Sequence, residues 1–310
     1  MKVGIVGAGA VGATAAYAMV LQGSAHEIIL VDQNEKLAAA QAHDITDATP
    51  FAYSTQITSG NYDDLAGAQI VVLAAGIAQR PGDTRLDLLK RNADVFGQII
   101  PRVLAAVPQA ILLVATNPVD VMTDIAARIA KLPPGRVFGS GTILDSARFR
   151  NLLSQHIPVN PKSIHAYVLG EHGDSEVLWW SGVTVGGVVL DDVAAHLGAH
   201  LGEPIKSTID ESVRRAADRI IAGKGATWFG IGGGISRLVQ AVGRGENLLV
   251  SVSAATESVE GIEHVTLSLP RIVGKNGIEG TLMPKLDAHE KRLLRQSAEI
   301  LKEAANNVGL

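Results

Sequence analysis

The sequence contains no cysteine in its 310 residues. Disulfides, thiolate metal sites and cysteine nucleophiles are thereby excluded, and no metal site is expected. Aromatic residues amount to only 4% and charged residues to 19%, against 47% apolar residues. That balance belongs to a globular chain and not to a disordered one. No apolar run reaches the ~18 residues that a membrane helix needs, so no membrane partner is expected. Basic residues form no run, and the formal net charge is −4, so no nucleic-acid partner is expected either.

What is present is glycine in a pattern. Gly4, Gly7, Gly9 and Gly12 interrupt the apolar, Ala-rich stretch from Val3 to Leu21. With Met1 and Lys2 in front, that stretch has some look of a signal peptide, but the glycines have a better reading and a cytoplasmic location is expected. Lys2–Val6 reads as a buried strand and Val11–Gln22 as a helix. Glu27–Val31 follows as a strand, Glu35–Ile45 as a helix and Gln56–Ser59 as a short strand. Ala68–Ala74 and Ala110–Ala115 are strongly β, Pro118–Ala130 returns to helix and Arg136–Phe138 to strand. Strand and helix alternating at this spacing predict parallel pairing with right-handed crossovers. Runs such as Ile70-Val71-Val72-Leu73 lack polar alternation, as strands buried on both faces do. After about residue 141 the pattern changes to strands without regular crossovers (Lys162–Leu169, Glu176–Val185, His264–Leu269) and helices over Ser146–Gln155, Glu203–Ile221 and Asp287–Val308. The expectation is an α/β protein. Residues 1–140 would form a doubly wound parallel sheet of the Rossmann type, and residues 141–310 an α+β domain carrying substrate and oligomer contacts.

The segment Gly7-Ala8-Gly9-Ala10-Val11-Gly12 follows a predicted strand and opens a predicted helix. In a dinucleotide site the first glycine permits a tight turn, the second lets backbone approach the pyrophosphate, and the third brings helix close to strand. The helix N-terminus then offers free N–H groups to the phosphates. The second strand ends at Asp32, twenty residues after Gly12. A carboxylate there can accept hydrogen bonds from the adenosine ribose and repels a 2′-phosphate, which favours NAD over NADP.

Further motifs follow in order: AGIAQRPGDTRLDLLKRN (75–92), ATNPVD (115–120), GSGTILDSARFR (139–150), GEHGDSE (170–176) and GATWFGIG (225–232). Together they resemble the lactate/malate dehydrogenase family over essentially the whole chain. Within that family the pattern is most similar to the bacterial, lactate-specific members. The resemblance implies reversible reduction of pyruvate to (S)-lactate with NAD as cofactor. It implies His172 as acid and base, Asp145 as its carboxylate partner, Arg148 as clamp for the substrate carboxylate and Arg85 as a lid residue polarising the keto oxygen. Gln79, Asn117 and Thr227 would line the substrate. Gly7, Gly9, Val11, Gly12, Asp32, Tyr62, Gly76, Ile77, Ala115 and Asn117 would contact the cofactor.

The residue types suit these roles. An imidazole can exchange a proton near neutral pH, and a guanidinium fork matches a carboxylate. Asp145 also suits the N-cap of a helix starting near Ser146. The family separates its substrates largely at one lid position, arginine for malate and glutamine for lactate. Gln79 stands there, although the adjacent Arg80 leaves malate as the alternative. An NAD-binding protein without activity is a more distant one. Arg150 and His165 match a site for fructose 1,6-bisphosphate between subunits, and the family forms homo-oligomers, most often tetramers.

Overall fold

The computed structural model describes residues 1–77 and 85–308, the side chain of Arg85 excepted. The first half runs β1 (Lys2–Val6), α1 (Ala10–Gln22), β2 (Glu27–Val31), α2 (Glu35–Thr46), β3 (Gln56–Ser59), β4 (Ile70–Leu73), α3 (Arg85–Ala106), β5 (Ile111–Val114), α4 (Val119–Ala130) and β6 (Val137–Gly139). Next come α5 (Ile143–Leu153), β7 (Ile164–His165), β8 (Val168–Leu169), β9 (Val177–Leu178), β10 (Thr184–Val185) and β11 (Val188–Val189). The remainder is α6 (Leu190–Leu197), α7 (Glu203–Arg214), α8 (Ala216–Lys224), α9 (Phe229–Arg244), β12 (Leu248–Val259), β13 (Ile262–Gly274), β14 (Gly277–Thr281) and α10 (Ala288–Asn306).

Six parallel strands pair in the order β3-β2-β1-β4-β5-β6. Chain direction along the sheet reverses between β1 and β4. In open α/β sheets the crevice at the carboxyl ends of strands flanking such a reversal binds ligands. β4 and β5 are buried at every residue, as their unbroken aliphatic runs require. The sheet does not stop at β6. β12, β13 and β14 extend it antiparallel to nine strands, with Ser253 of β12 paired to Gly139 of β6. One core fills the side carrying α3, α4 and α10, and a second fills the side carrying α1 and α9. No helix among the described residues is long and apolar enough to cross a membrane.

Several expectations for the second half need correction. The strand expected over Lys162–Leu169 is two short strands after a 3-10 turn at Pro161–Ser163. That over Glu176–Val185 is likewise split, by the 3-10 turn Trp180–Gly182. The helix expected over Glu203–Ile221 breaks at Arg215 into α7 and α8. The helix expected from Ser146 begins at Ile143, with Thr142 as its N-cap. Asp145 is therefore not a cap but lies inside the first turn. The helix over Asp287–Val308 has its start where Asp287 and Glu290 form a reciprocal capping box, which satisfies two otherwise orphaned N–H groups.

Candidate active site

The glycine loop connects β1 to α1 at the reversal point. Gly7 has φ +105°, and a Cβ there would fall 2.4 Å from the backbone nitrogen of Ala75. Gly12 lies so close to the turn that a Cβ would fall 1.9 Å from the Gly7 carbonyl oxygen. Gly9 differs from both, because a Cβ on it would meet nothing among the described residues within 4 Å. The space above Gly9 is thus open to a ligand, while Gly7 and Gly12 serve packing. No side chain among the described residues caps α1, which leaves its first N–H groups for an anion. Asp32 accepts hydrogen bonds from the Ala8 and Asn34 N–H groups at 2.8 and 2.9 Å. Its carboxylate is thereby fixed at the loop.

Asp32, Gly7, Tyr62, Gly76 and Ile77 line one cleft of about 330 Å³. The Arg102 guanidinium lies 4.2 Å from the centre of the Tyr62 ring, a cation–π contact that holds the wall of the cleft. Val11, Ala115, Asn117, Arg148, His172 and Thr227 line a second cleft of about 300 Å³. The open glycine, the uncapped helix and the anchored acid together fit a dinucleotide.

His172 and Arg148 belong to the second cleft. Asp145 is buried, and its Oδ2 lies 2.6 Å from His172 Nδ1. Its Oδ1 accepts from Arg148 Nη1 at 2.9 Å. One carboxylate on the first turn of α5 thus holds a histidine from a distant loop and an arginine three residues along its own helix. His172 keeps about a quarter of its side chain exposed and Arg148 about a seventh, 26% and 15%.

Burial works against a charged His172, but Asp145, Asp120 and Glu176 outweigh it and raise the ring to about 9. Burial also opposes the charge on Asp145, yet His172 and Arg148 hold its carboxyl below the usual range. The pair is therefore an imidazolium–carboxylate at neutral pH. Glu176 behaves oppositely. Burial and the nearby Asp145 push its carboxyl up to about 8, against weaker opposing pulls from Arg214 and His172, and its Oε1 has no hydrogen-bond partner among the described residues. A neutral Glu176 adds no further anion beside the pair at pH 7.

Two residues escaped the sequence reading. Asn92 on α3 is buried; its Oδ1 accepts from the Ile77 N–H at 2.8 Å and its Nδ2 donates to the Asn117 carbonyl at 3.3 Å. It ties the two clefts together from behind. Asp120, at the start of α4, accepts the His172 N–H at 2.7 Å. Both stand in the quoted motifs, which was the available signal. Gln79 lies outside the described residues, as does the side chain of Arg85, whose backbone begins α3. Arg150 is on the last turn of α5 with its Nε donating to the Ser146 carbonyl, and His165 ends β7 exposed. Asn117 precedes Pro118 through a cis peptide bond.

The nucleotide-binding architecture and the His–Asp–Arg group together define a dehydrogenase of the Rossmann type. Residues 1–139 match the family model for the lactate/malate dehydrogenase NAD-binding domain, and residues 142–309 the model for the lactate/malate dehydrogenase alpha/beta C-terminal domain. The chain belongs to the lactate/malate dehydrogenase family, and NAD is its cofactor. It is 59% identical over 309 residues to the L-lactate dehydrogenase of Thermus aquaticus, covering 100% of each chain. It is 47% identical over 310 residues to that of Deinococcus radiodurans, again covering 100% of each. Among solved structures it resembles the minor L-lactate dehydrogenase of Enterococcus mundtii in its ligand-bound form. There the TM-score is 0.95 and the identity 39%, with 100% of this chain and 98% of that one covered. A lactate dehydrogenase from a Medee basin deep-sea metagenome library gives a TM-score of 0.96 at 37% identity, covering 100% and 99%.

The anchored Asp32 carries a direct expectation. Asp32→Ala should weaken NADH binding by about ten- to a hundredfold, the worth of one or two charge-assisted hydrogen bonds. It should also narrow the preference over NADPH. Titrating both cofactors by nicotinamide fluorescence checks this, and equal affinities for NADH before and after the change would argue against a cofactor contact for Asp32.

Proposed function

We propose that the chain is an NAD-dependent L-lactate dehydrogenase, catalysing (S)-lactate + NAD⁺ ⇌ pyruvate + NADH + H⁺. The observation that carries this reading is the single buried carboxylate of Asp145 holding both His172 and Arg148 at one cleft, at 2.6 and 2.9 Å. The α1 N-terminus, the open Gly9 and Asp32 would hold NAD, whose nicotinamide would supply or accept the hydride. The protein contributes the proton, the orientation and the field.

His172 bonds Asp145 through Nδ1, so Nε2 is the atom left to act on substrate. In pyruvate reduction it gives a proton to the carbonyl oxygen as the hydride arrives at carbon. In lactate oxidation it takes the hydroxyl proton back. Asp145 fixes the ring and stabilises the imidazolium. Arg148 spends one N–H on Asp145, and its remaining N–H groups suit the substrate carboxylate. Arg85 is assigned to polarise the keto oxygen, and Gln79, Asn117 and Thr227 to line the pocket. Closure of a lid over these groups would exclude water and strengthen each interaction.

An uncharged Gln79 favours pyruvate, because a second substrate carboxylate desolvated without a partner is costly. The test compares pyruvate with oxaloacetate in the unmodified enzyme and in Gln79→Arg. Pyruvate should be preferred at first, and the substitution should move the kcat/KM ratio toward oxaloacetate by about a hundredfold or more. An unmoved ratio would place specificity elsewhere, and an unmodified enzyme preferring oxaloacetate would make it a malate dehydrogenase.

The same reading assigns Arg150 and His165 to a fructose 1,6-bisphosphate site in a homotetramer, and the protein to the cytoplasm. Both side chains are of a type that holds phosphate. Adding the bisphosphate should lower the pyruvate concentration needed for half-maximal rate. A rate-versus-pyruvate curve that ignores it argues against the site.

A further inference from the structure

We propose that Asp120 is a positioning residue for this reaction, fixing the His172 backbone and supplying a second buried negative charge within reach of the imidazole. This rests on the lactate dehydrogenase reading and deepens it. The loop carrying His172 is anchored three times in succession. The Gly170 N–H donates to the Ser268 carbonyl of β13 at 2.9 Å, and the Ser268 N–H returns the bond at 2.9 Å. The Glu171 N–H donates to Ser297 Oγ of α10 at 2.8 Å. The His172 N–H donates to Asp120 Oδ2 of α4 at 2.7 Å. Three consecutive residues thus place their N–H groups on three different elements, and only the anchor of His172 is charged. A neutral acceptor would hold the backbone. A carboxylate does that and also acts on the ring.

Asp120 is itself buried, 2% exposed. Its Oδ1 lies 3.4 Å from Ser268 Oγ, a long contact. Burial lifts its carboxyl to about 6, while the His172 N–H and the His172 charge pull the other way. It is therefore still ionised in the alkaline range where His172 titrates. The charged groups around His172 come from every side. Asp145 and Arg148 face it from α5 and Asp120 from α4, with Glu171 and Glu176 on its own loop. Arg214 of α7 donates to the Asp174 and Glu176 carbonyls and pairs with Asp210. Glu176 is neutral until about pH 8, so near neutrality Asp145 and Asp120 carry the buried negative charge, and Glu176 joins them in the range where His172 titrates.

The test uses the full-length protein with isotopically labelled histidine, the His172 signal being identified by its loss in His172→Ala. In Asp120→Asn the amide oxygen still accepts the His172 N–H, while the charge and the long acceptor contact to Ser268 Oγ are lost. The His172 titration midpoint should fall by about one pH unit. The alkaline fall in pyruvate reduction should move with it, while the affinity for NADH stays close to that of the parent. Asp120→Leu removes the acceptor as well and should lose at least about tenfold in kcat at every pH relative to Asp120→Asn. A titration curve in Asp120→Asn that superimposes on the parent overturns the proposal, whether or not the leucine variant folds. Failure of the unmodified enzyme to reduce pyruvate would instead sink the lactate reading, and the imidazole titration would still decide the role of Asp120.

Discussion

Replacing His172 by alanine should lower pyruvate reduction by at least about a thousandfold, with NADH affinity changed less than about twofold. The large loss follows from position. His172 is the titratable ring at the cleft, and the Asp145 contact at 2.6 Å holds it charged and oriented. The small change in cofactor affinity follows too, because the anchored Asp32 lines the first cleft and His172 the second. Steady-state rates combined with NADH fluorescence separate the two quantities. Turnover that survives the change would remove His172 from the chemistry. The unmodified enzyme carries a matching pH signature. Donation needs the protonated ring, so reduction should fall as pH rises through about 9. Oxidation of lactate needs the neutral ring and should rise through the same range.

Arg148→Leu should reduce kcat/KM for pyruvate by about 10²–10³-fold, mostly through KM, because in the proposed role as carboxylate clamp it would make two charge-assisted bonds that are lost together. Lysine at the same place keeps the charge without the planar fork, and should recover only part of the loss. The arginine is fixed in place by Asp145 at 2.9 Å, so it meets the substrate with little further ordering. Measuring KM for pyruvate in both variants checks this. An unchanged KM would assign the carboxylate to another cation.

Much of the nucleotide half was legible, because its strands are buried on both faces and its glycines have single-residue jobs. Among the elements that were not are α9, α3 and β12. α9 contains Gly230, Gly232, Gly233, Gly234 and Gly243, a composition that argues against helix. The structure explains part of it. A Cβ on Gly230 would meet Leu144 at 2.9 Å, and one on Gly232 would meet Thr14 at 2.7 Å. Close helix packing requires those glycines, and burial of Ile235, Leu238 and Val239 overrides propensity. α3 contains Gly97 and Pro101, which read as interruptions, yet Phe96, Ile100 and Val103 fix it in the core. β12 was invisible because its buried run Val250–Ala254 alternates valine with serine, and Ser251 finds its partners only in the folded state, in Thr142 and the Val168 carbonyl.

The site divides similarly. Residue type and motif singled out His172, Asp145 and Arg148. The distance from 145 to 172 in sequence says nothing about contact, and only α5 and the 170–176 loop bring them together. Asn92 and Asp120 act on backbone groups of other residues, and such roles leave no mark in residue type alone. The N-cap alternative for Asp145 failed for a local reason. Thr142 already occupies that position, with its hydroxyl turned to the Val168 carbonyl.

The seam between α1 and α9 bears on recombination between relatives. Gly232 abuts Thr14, Ser24 Oγ lies 2.9 Å from Ser236 Oγ, and Ser236 donates to Gln22 Oε1 at 3.0 Å. Each of these pairs joins residues more than 200 positions apart in the chain. A chimera that takes its first 140 residues from one parent and the rest from another splits all of them at once. Parents sharing a small residue at 232 and hydroxyls at 24 and 236 are interchangeable along that seam. Parents that differ there must exchange α1 and α9 as a unit, although α1 carries the cofactor loop. The lineage of the nucleotide site is in this sense tied to a helix far along the chain.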